Sequence, residues 1–486
     1  MKHFWLLIFI LLGSWTLHAQ SSGWSSPKEE MRAVWITSIY ALDWPKSPTK
    51  NASDIERQKA DLLKILDQLK AANFNTVFVQ TRLRGDVIYP SKIEPQTSHI
   101  GAKSITGRYD PLAFAIDECH KRGLECHAWF VTYPLGKEGS ATHQKNKDLV
   151  KKHQNEIYLD PGNPKTAKYL LSLVNEIVDK YDIDGIHMDY IRYPDSKFPD
   201  NTTFKQYGKG KNKATWRKEN INKFVYQLYD QVKAHKPWVQ VSSSVIGMYD
   251  GHIKVGRGYM NAADVSQDPE NWLAKGKHDF VVPMMYHKDN LFFPFVTDWK
   301  SRSHGRLIIP GLGVYRMDKK EGDWTLKDLT AQVDATREHQ MGGHAFYRLQ
   351  FLTDNTKGIM DKLANDYYRY PALLTPMTWL NAVRPLPPQE VEAIGEGDYV
   401  ELSWEPVRQP GKKTVFYNIY RSQTAPVDTH NPANLIATRL AETAVLVSVN
   451  HNVERGYYYA VTAYDRYHNE SELSRPVYFV SGYRRM

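Results

Sequence analysis

The stretch "DGIHMDYIRYP", residues 184–194, has the pattern of a buried β-strand that ends in a polar turn. Apolar Ile186 and Met188 alternate with His187 and Asp189, so the two pairs face opposite sides of the strand. Buried charged groups are costly unless they are paired or used in chemistry. The pattern therefore predicts a strand that packs on one face and directs its polar face towards a functional site.

Seven other segments before residue 384 have strand patterns, and amphipathic helical patterns lie between most of them. The strand patterns cover residues 31–38, 74–80, 124–131, 238–245, 279–286, 306–314 and 343–348. The clearest helical patterns cover residues 54–73, 164–182 and 214–235. Eight strands alternating with helices predict an α/β domain, a (β/α)8 TIM barrel over residues 27–383. The active site of such a barrel lies at the C-terminal ends of its strands.

The last hundred residues differ in pattern from the barrel segment. The Pro-rich stretch "RPLPPQE", 384–390, predicts a stiff linker. Short alternating strands then predict a small all-β, immunoglobulin-like sandwich over residues 391–486, with Trp404 in its core. The motifs "ELSW", "YNIYRS" and "YYYAVTAYDRYHNESELS" resemble those of a fibronectin type III domain. Such a domain is usually a spacer or adhesion module.

The first twenty residues, "MKHFWLLIFILLGSWTLHAQ", have the organisation of a secretory signal peptide. Lys2 supplies a positive start, a short apolar run follows, and Ala19 offers a small residue for cleavage. The apolar run is too short to span a bilayer comfortably. We therefore expect an exported protein, periplasmic or secreted, without stable membrane insertion.

Composition favours an anionic partner. The net charge is +9, and the chain contains 13 Trp and 30 Tyr, whose flat rings can stack on sugars or pack in a core. The densest basic stretch is residues 205–218. A nucleic-acid partner is not expected, because the basic residues are scattered and no binding motif is present. The two cysteines, Cys119 and Cys126, could form a disulfide or remain buried thiols.

Three carboxylates follow predicted strands and are candidates for catalysis. Glycoside cleavage needs two carboxyl groups that flank the bond. We expect Asp189 to act as nucleophile or base, and Asp86 or Asp268 to donate the proton. Purely structural roles are the alternatives: an ion pair of Asp189 with Arg192, a loop-fixing ion pair for Asp86, and a helix N-cap for Asp268.

Other polar and aromatic side chains near the strand ends are candidates for substrate binding. They are Gln80, Arg82, His127, His187, Arg192, Trp272, Tyr286 and Tyr347. No metal and no cofactor are expected, because the sequence has neither an HxH or HExxH spacing nor a Gly-rich phosphate loop after a strand.

Six motifs follow one another in the order found in the glycosyl hydrolase-like family 10 domain, which the segment 27–380 resembles. They are "MRAVWITSIYALDWP", "FNTVFVQTRLRGDVIYPSKIEP", "DPLAFAIDECHKRGLECHAWF", "DGIHMDYIRYP", "QDPENWLAKGKHDFVVPMMY" and "IIPGLGVYR". The resemblance implies a (β/α)8 glycoside hydrolase acting on a bacterial polysaccharide, with peptidoglycan glycan strands a substrate proposed within the family. It points to site positions at Arg82, Asp86, His127, Asp189, Gln267, Asp268 and Tyr286.

One departure from the family pattern concerns the second acid. Many relatives carry an acid directly after the position of Asp189, where this chain has Tyr190. The leading hypothesis is an exported glycoside hydrolase with a two-carboxylate mechanism. The alternative is a non-catalytic glycan-binding or adhesion protein with a lectin-like barrel.

Overall fold

The computed structural model describes residues 26–98, 100, 101, 109–250, 253, 261–396, 399–409, 414–448 and 456–480. The predicted signal peptide, residues 1–20, lies outside them. Twelve strands belong to the first part of the chain. They are β1 (Met31–Ile36), β2 (Thr76–Arg82), β3 (Glu125–Val131), β4 (Pro134–Gly136), β5 (Val150–His153), β6 (Glu156–Leu159), β7 (Gly185–Asp189), β8 (Gln240–Ile246), β9 (Phe280–Met284), β10 (Leu307–Ile308), β11 (Gly311–Leu312) and β12 (Gly343–Phe346).

Nine of these strands close into a parallel barrel with eight positions, as the sequence predicts. The order is β1-β2-β3-β7-β8-β9, followed by β10 and β11 together and then β12, which pairs with β1. The seventh position is split into β10 and β11 on either side of Ile309 and Pro310. Proline has no backbone N–H to donate, which accounts for the interruption.

Helices cover the outside of the barrel. They are α1 (Ala52–Ala71), α2 (Pro111–Lys121), α3 (Ala141–Lys145), α4 (Pro164–Lys180), α5 (Asn201–Tyr207), α6 (Lys213–His235), α7 (Pro269–Ala274), α8 (Phe293–Ser301), α9 (Leu326–Glu338), α10 (Leu349–Thr353) and α11 (Ile359–Lys362). Local sequence explains where they start. Asn51 and Asp54 form a capping box at the start of α1, and Asn163 followed by a proline begins α4.

The strand β7 has the two faces that its alternation predicts. Ile186 and Met188 are fully buried in the core cluster between the strands and the helices. His187 instead faces the barrel interior, where its ring stacks on Phe78 at 4.3 Å between centroids. Gly185 is needed here, because a Cβ atom at this position would lie 2.2 Å from Nδ1 of His127.

The strands β4, β5 and β6 form a small antiparallel sheet between β3 and α4. Because they follow the C-terminal end of β3, this sheet stands on the face of the barrel where active sites occur. It brings Glu156, the first residue of β6, to that face.

Residues 389–480 contain seven strands in two antiparallel sheets. They are β13 (Gln389–Glu396), β14 (Tyr399–Glu405), β15 (Val415–Ser422), β16 (Leu435–Leu440), β17 (Ala444–Ser448), β18 (Tyr457–Asp465) and β19 (Val477–Phe479). One sheet has the order β13-β14-β17 and the other β16-β15-β18-β19. Their inner faces share one core, in which Trp404 packs edge-on against Tyr417. A small β-domain is thus confirmed, whereas its assignment to the fibronectin type III type stays a prediction.

This β-domain is docked on the face of the barrel where the strands begin. Arg439 of β16 forms a buried ion pair with Asp184, immediately before β7, and lies 3.8 Å from Glu125 at the start of β3. His468 contacts the same Glu125 at 2.7 Å. Burial raises the pKa of Asp184, but Arg439 and His120 outweigh it, so its pKa lies below the ordinary value. The β-domain therefore supplies the countercharges for acids at the barrel floor.

Cys119 and Cys126 are both free and buried, so the thiol alternative holds. In the described part of the chain, no helix is long and apolar enough to cross a membrane.

Candidate active site

A cavity of about 260 Å³ opens where the barrel strands end. Its volume is close to the lower end of the roughly 300–1,000 Å³ usual for ligand sites. Residues from seven of the eight barrel positions, or from the loops after them, form its lining. They are Trp35, Thr37, Ile39, Tyr40, Leu42, Gln80, Arg84, Trp129, Val131, Asp189, Tyr190, Arg192, Ser244, Met284, Tyr286 and Tyr347.

Asp189, the last residue of β7, is the carboxylate of this cavity; among the described residues the lining has no other. The backbone N–H of Tyr190 donates to its Oδ1 at 2.7 Å, and the indole N–H of Trp129 donates to its Oδ2 at 3.1 Å. Burial raises the pKa of Asp189; the hydrogen bond from Tyr190, the charge of Arg192, the Trp129 bond and the charge of Arg84 offset this only in part. The carboxyl group is therefore oriented by two donors and retains its proton more readily than an exposed aspartate.

The backbone turns sharply just after Asp189. Tyr190 has φ of 51°, in the left-handed region that residues with a Cβ rarely adopt. The guanidinium of Arg192 lies 5.1 Å from the centre of the Tyr190 ring. Strained backbone of this kind concentrates at functional sites, where the surrounding structure maintains it. Here it places an aromatic ring and a cation beside the Asp189 carboxylate.

Aromatic rings form much of the cavity wall. Tyr286 and Tyr347 stack with their ring planes 17° apart, and Tyr315 packs edge-on against both. Burial, followed by the nearby Asp189 charge, raises the pKa of Tyr347 to about 12. The phenol therefore stays protonated and can donate to a ligand at neutral pH. Flat faces combined with hydroxyl donors suit the alternating apolar and polar surfaces of a sugar.

Two polar side chains at the ends of β1 and β2 complete the wall. Gln80 accepts hydrogen bonds from the backbone N–H groups of Ser38 and Ile39 through Oε1, which leaves its amide nitrogen as the donor. The Thr37 hydroxyl is buried and has no hydrogen-bond partner within the described residues. A buried polar group without a partner is costly, so a ligand hydroxyl at this point would be favoured.

Three predicted substrate contacts, Arg82, His127 and His187, are not part of the cavity lining. Arg82 is fully buried and its guanidinium binds both carboxylate oxygens of Glu94 at 2.8 and 2.7 Å. His187 is fully buried and bonded to two serine hydroxyls, and His127 contacts Glu125 at 3.0 Å. In the structure these side chains are fully buried outside the cavity lining: His127 and His187 lie in the barrel interior, and Arg82 is held by Glu94 and the Thr132 carbonyl.

The other predicted residues outside the cavity lining are Trp272, Asp268 and Asp86. Trp272 is fully buried and donates to Asn222, so it is a core residue and not a stacking platform. Asp268 stands at the N-cap position of α7, but its carboxylate accepts from Asn222 and Tyr249. Asp86 accepts from the backbone of Arg84 within its own turn. Of the predicted site residues, the structure brings Asp189, Gln80, Arg192, Tyr286 and Tyr347 together.

Two charged residues at the cavity rim were not among the candidates for the site. Arg84 lines the cavity and forms an ion pair with Glu156 of β6. The hydroxyl of Tyr158 donates to the same carboxylate at 3.0 Å. The only sequence signal for this position is the "HQNE" turn, residues 153–156, between two short polar-apolar strands.

Comparison with known proteins identifies the family to which this barrel belongs. Residues 30–311, more than half of the chain, match the family model described as Glycosyl hydrolase-like 10. The chain belongs to this family. The matched family is described as glycosyl hydrolase-like and a curated relative is a glycosyl hydrolase, so the protein is a glycoside hydrolase.

Two curated relatives of this Glycosyl hydrolase-like 10 protein are bacterial glycosyl hydrolases. Glycosyl hydrolase YngK of Bacillus subtilis is 29% identical over 96% of this chain and 97% of its own length. Glycosyl hydrolase DigH of Escherichia coli is 28% identical over 63% of this chain and 80% of its own length. Among solved structures, the glycoside hydrolase domain of PgaB (BpsB) from Bordetella bronchiseptica matches 69% of this chain and 98% of its own, at 14% identity and a TM-score of 0.47.

Proposed function

We propose that this glycoside hydrolase is exported and cleaves a bacterial polysaccharide, with peptidoglycan glycan strands as the substrate to test first. Asp189 donates the proton to the leaving oxygen in this proposal. The observation that carries it is a buried carboxyl group with a raised pKa, fixed by two donors in an aromatic cavity at the strand ends. A raised pKa is what a catalytic acid needs, and the role of base or nucleophile expected for Asp189 fits it less well.

The charges of the cavity support an anionic substrate. Arg84 and Arg192 line it together with the single acid Asp189 among the described residues. Arginine offers several N–H donors in a planar fork that matches carboxylates. A glycan whose sugars carry carboxylates fits this arrangement, and the +9 net charge of the chain attracts such a polymer over longer distances.

The pH dependence of hydrolysis should follow the proton on Asp189. An acid catalyst is active only while protonated, so kcat/KM should fall as the pH rises through the raised pKa of this group. The alkaline limb of the rate profile should therefore lie above the ordinary aspartate value of about 3.9. Steady-state values of kcat/KM measured between pH 3 and 9 give the pH at which this limb is centred. A limb centred at the ordinary value would contradict the role of Asp189.

The basic stretch 205–218 follows β7 on the same face as the cavity, and its exposed lysines should attract an anionic glycan. Reversing Lys205 and Lys209 to glutamate should lower the association rate at low ionic strength and have little effect at high salt. Stopped-flow binding of glycan fragments measures this. The control reverses the exposed Lys64 and Lys275, which lie on other segments. Equal rates for both double variants at low salt would show that the stretch does not steer the substrate.

Digestion of purified glycan strands tests the function itself. Wild-type protein is incubated with peptidoglycan sacculi and with strands whose stem peptides have been removed, and soluble fragments are separated by mass. We expect products from at least the peptide-free strands. Intact strands in both incubations would reject this substrate class, and a panel of other bacterial polysaccharides would then replace it.

A further inference from the structure

We propose that Glu156 is the second catalytic carboxylate, the base that activates the attacking water opposite Asp189. This inference rests on the proposed function, because it assigns the missing partner in the same cavity. It replaces Asp86, which accepts from the backbone within its own turn, and Asp268, which accepts from Asn222 and Tyr249.

The position of Glu156 follows from the small sheet of β4, β5 and β6. This sheet stands on the strand-end face and presents Glu156 behind Arg84, a residue of the cavity wall. The Glu156 side chain is 35% exposed, so water reaches it, whereas Asp189 is almost completely covered. Asp189 therefore lies in a buried environment, which favours the protonated acid, and Glu156 lies in a partly solvated one, which favours the ionised base.

Arg84 couples the two carboxylates. It forms an ion pair with Glu156, and its charge also lowers the proton affinity of Asp189. Burial raises the pKa of Tyr190; Asp189 and Glu156 add to this and Arg192 and Arg84 oppose it, so Tyr190 lies within electrostatic range of both acids. With Glu156 as the base, the attacking water would lie between the two carboxyl groups, as in inverting enzymes.

Another acid near the cavity, Asp43, is already hydrogen-bonded to protein groups. Asp43 accepts from the backbone of Thr37 and Gln350 and from Arg348, and it is buried. The barrel residues outside the described part contain neither aspartate nor glutamate; they are residues 99, 102–108, 251, 252 and 254–260. Of these two acids, Asp43 is fully buried, whereas Glu156 is partly exposed beside Arg84 and can be reached by water.

The reaction step balances as follows. Glu156 takes one proton from a water as its oxygen bonds to the anomeric carbon, and the glycosidic C–O bond breaks. Asp189 gives its proton to the leaving sugar oxygen. Solvent then returns the proton from Glu156 to Asp189, and the product has inverted configuration at the new reducing end.

Kinetics of Glu156→Gln test the role directly. We expect kcat/KM on peptide-free glycan strands to fall about 10²–10⁴-fold, and wild-type products observed early by NMR to show the inverted anomer. Glu138→Gln is the matched control, because Glu138 is an exposed acid just after β4 of the same sheet, paired with Lys152 of β5. Equal activity of the two variants, or products of retained configuration, would overturn the assignment.

A second measurement does not depend on activity. The indole N–H of Trp129 donates to Asp189, so its NMR resonance, assigned with Trp129→Phe, reports the titration of that carboxyl group. In Glu156→Gln, Arg84 no longer pairs with a carboxylate, so its positive charge stabilises the ionised form of Asp189 more strongly. The Asp189 titration should therefore move to lower pH than in wild type. An unchanged titration would overturn the coupling. Wild-type protein that is inert on glycan strands would instead reject the proposed substrate and leave this titration as the test of Glu156.

Discussion

Replacing Asp189 by asparagine is expected to lower kcat/KM for peptide-free glycan strands by about 10²–10⁴-fold, the usual contribution of a positioned acid. Asparagine keeps the size of the side chain but has no proton to give to the leaving oxygen. Aryl glycosides with a dinitrophenol leaving group need little protonation, so they should lose much less activity. Rates on the two substrate classes, measured with the same enzyme preparations, give the comparison.

Two controls make this result specific. Asp230→Asn changes an exposed acid on α6 that pairs with Lys277, and it should retain wild-type rates. Thermal unfolding of Asp189→Asn shows whether the cavity still folds. Full activity of Asp189→Asn on glycan strands would reject Asp189 as the acid. An equal loss on both substrate classes would indicate a positioning role instead of proton donation.

Replacing Arg439 by alanine is expected to cause a large loss of stability, about 3–5 kcal/mol in the free energy of unfolding. The substitution leaves the buried Asp184 at the barrel floor without its main countercharge and removes one of the positive groups near Glu125. Urea or thermal unfolding of the full chain measures the loss. Arg421→Ala is the control, because Arg421 lies in the same β-domain but contacts the Ser448 carbonyl and the Tyr457 ring instead of Asp184 or Glu125.

A double-mutant cycle separates the ion pair from other effects of the change. Asp184→Asn combined with Arg439→Met should cost less than the sum of the two single substitutions, since neither charge is then left alone. Additive losses, or a loss for Arg439→Ala no larger than that for Arg421→Ala, would show that the β-domain does not support the barrel floor.

The barrel could be predicted from the sequence because its signals are local. Alternation along each strand and apolar periodicity along the helices follow from period and burial alone. Ile186 and Met188 against His187 and Asp189 show this, since the strand has the predicted two faces. The same local pattern does not give depth along the barrel axis. His187 therefore looked like a cavity residue, although it is fully buried in the barrel interior and outside the cavity lining.

The remaining parts of the site depend on contacts between distant segments. Glu156 reaches the rim only because a short antiparallel sheet folds over the end of β3 and meets Arg84, 72 residues earlier. Asp184 looked like an ordinary strand start, and its partner Arg439 is 255 residues away in the β-domain. Neither pairing leaves a periodic or compositional signal, so the second acid and the buried interface could not be predicted.

The most direct test of the central claim is a structure of Asp189→Asn soaked with a fragment of peptide-free glycan strand. The account predicts a glycosidic oxygen within about 3 Å of the side-chain amide at position 189, with sugar rings against Tyr286 and Trp129. A fragment bound with its glycosidic bonds away from position 189, for example in the groove between α4 and α6, would contradict it.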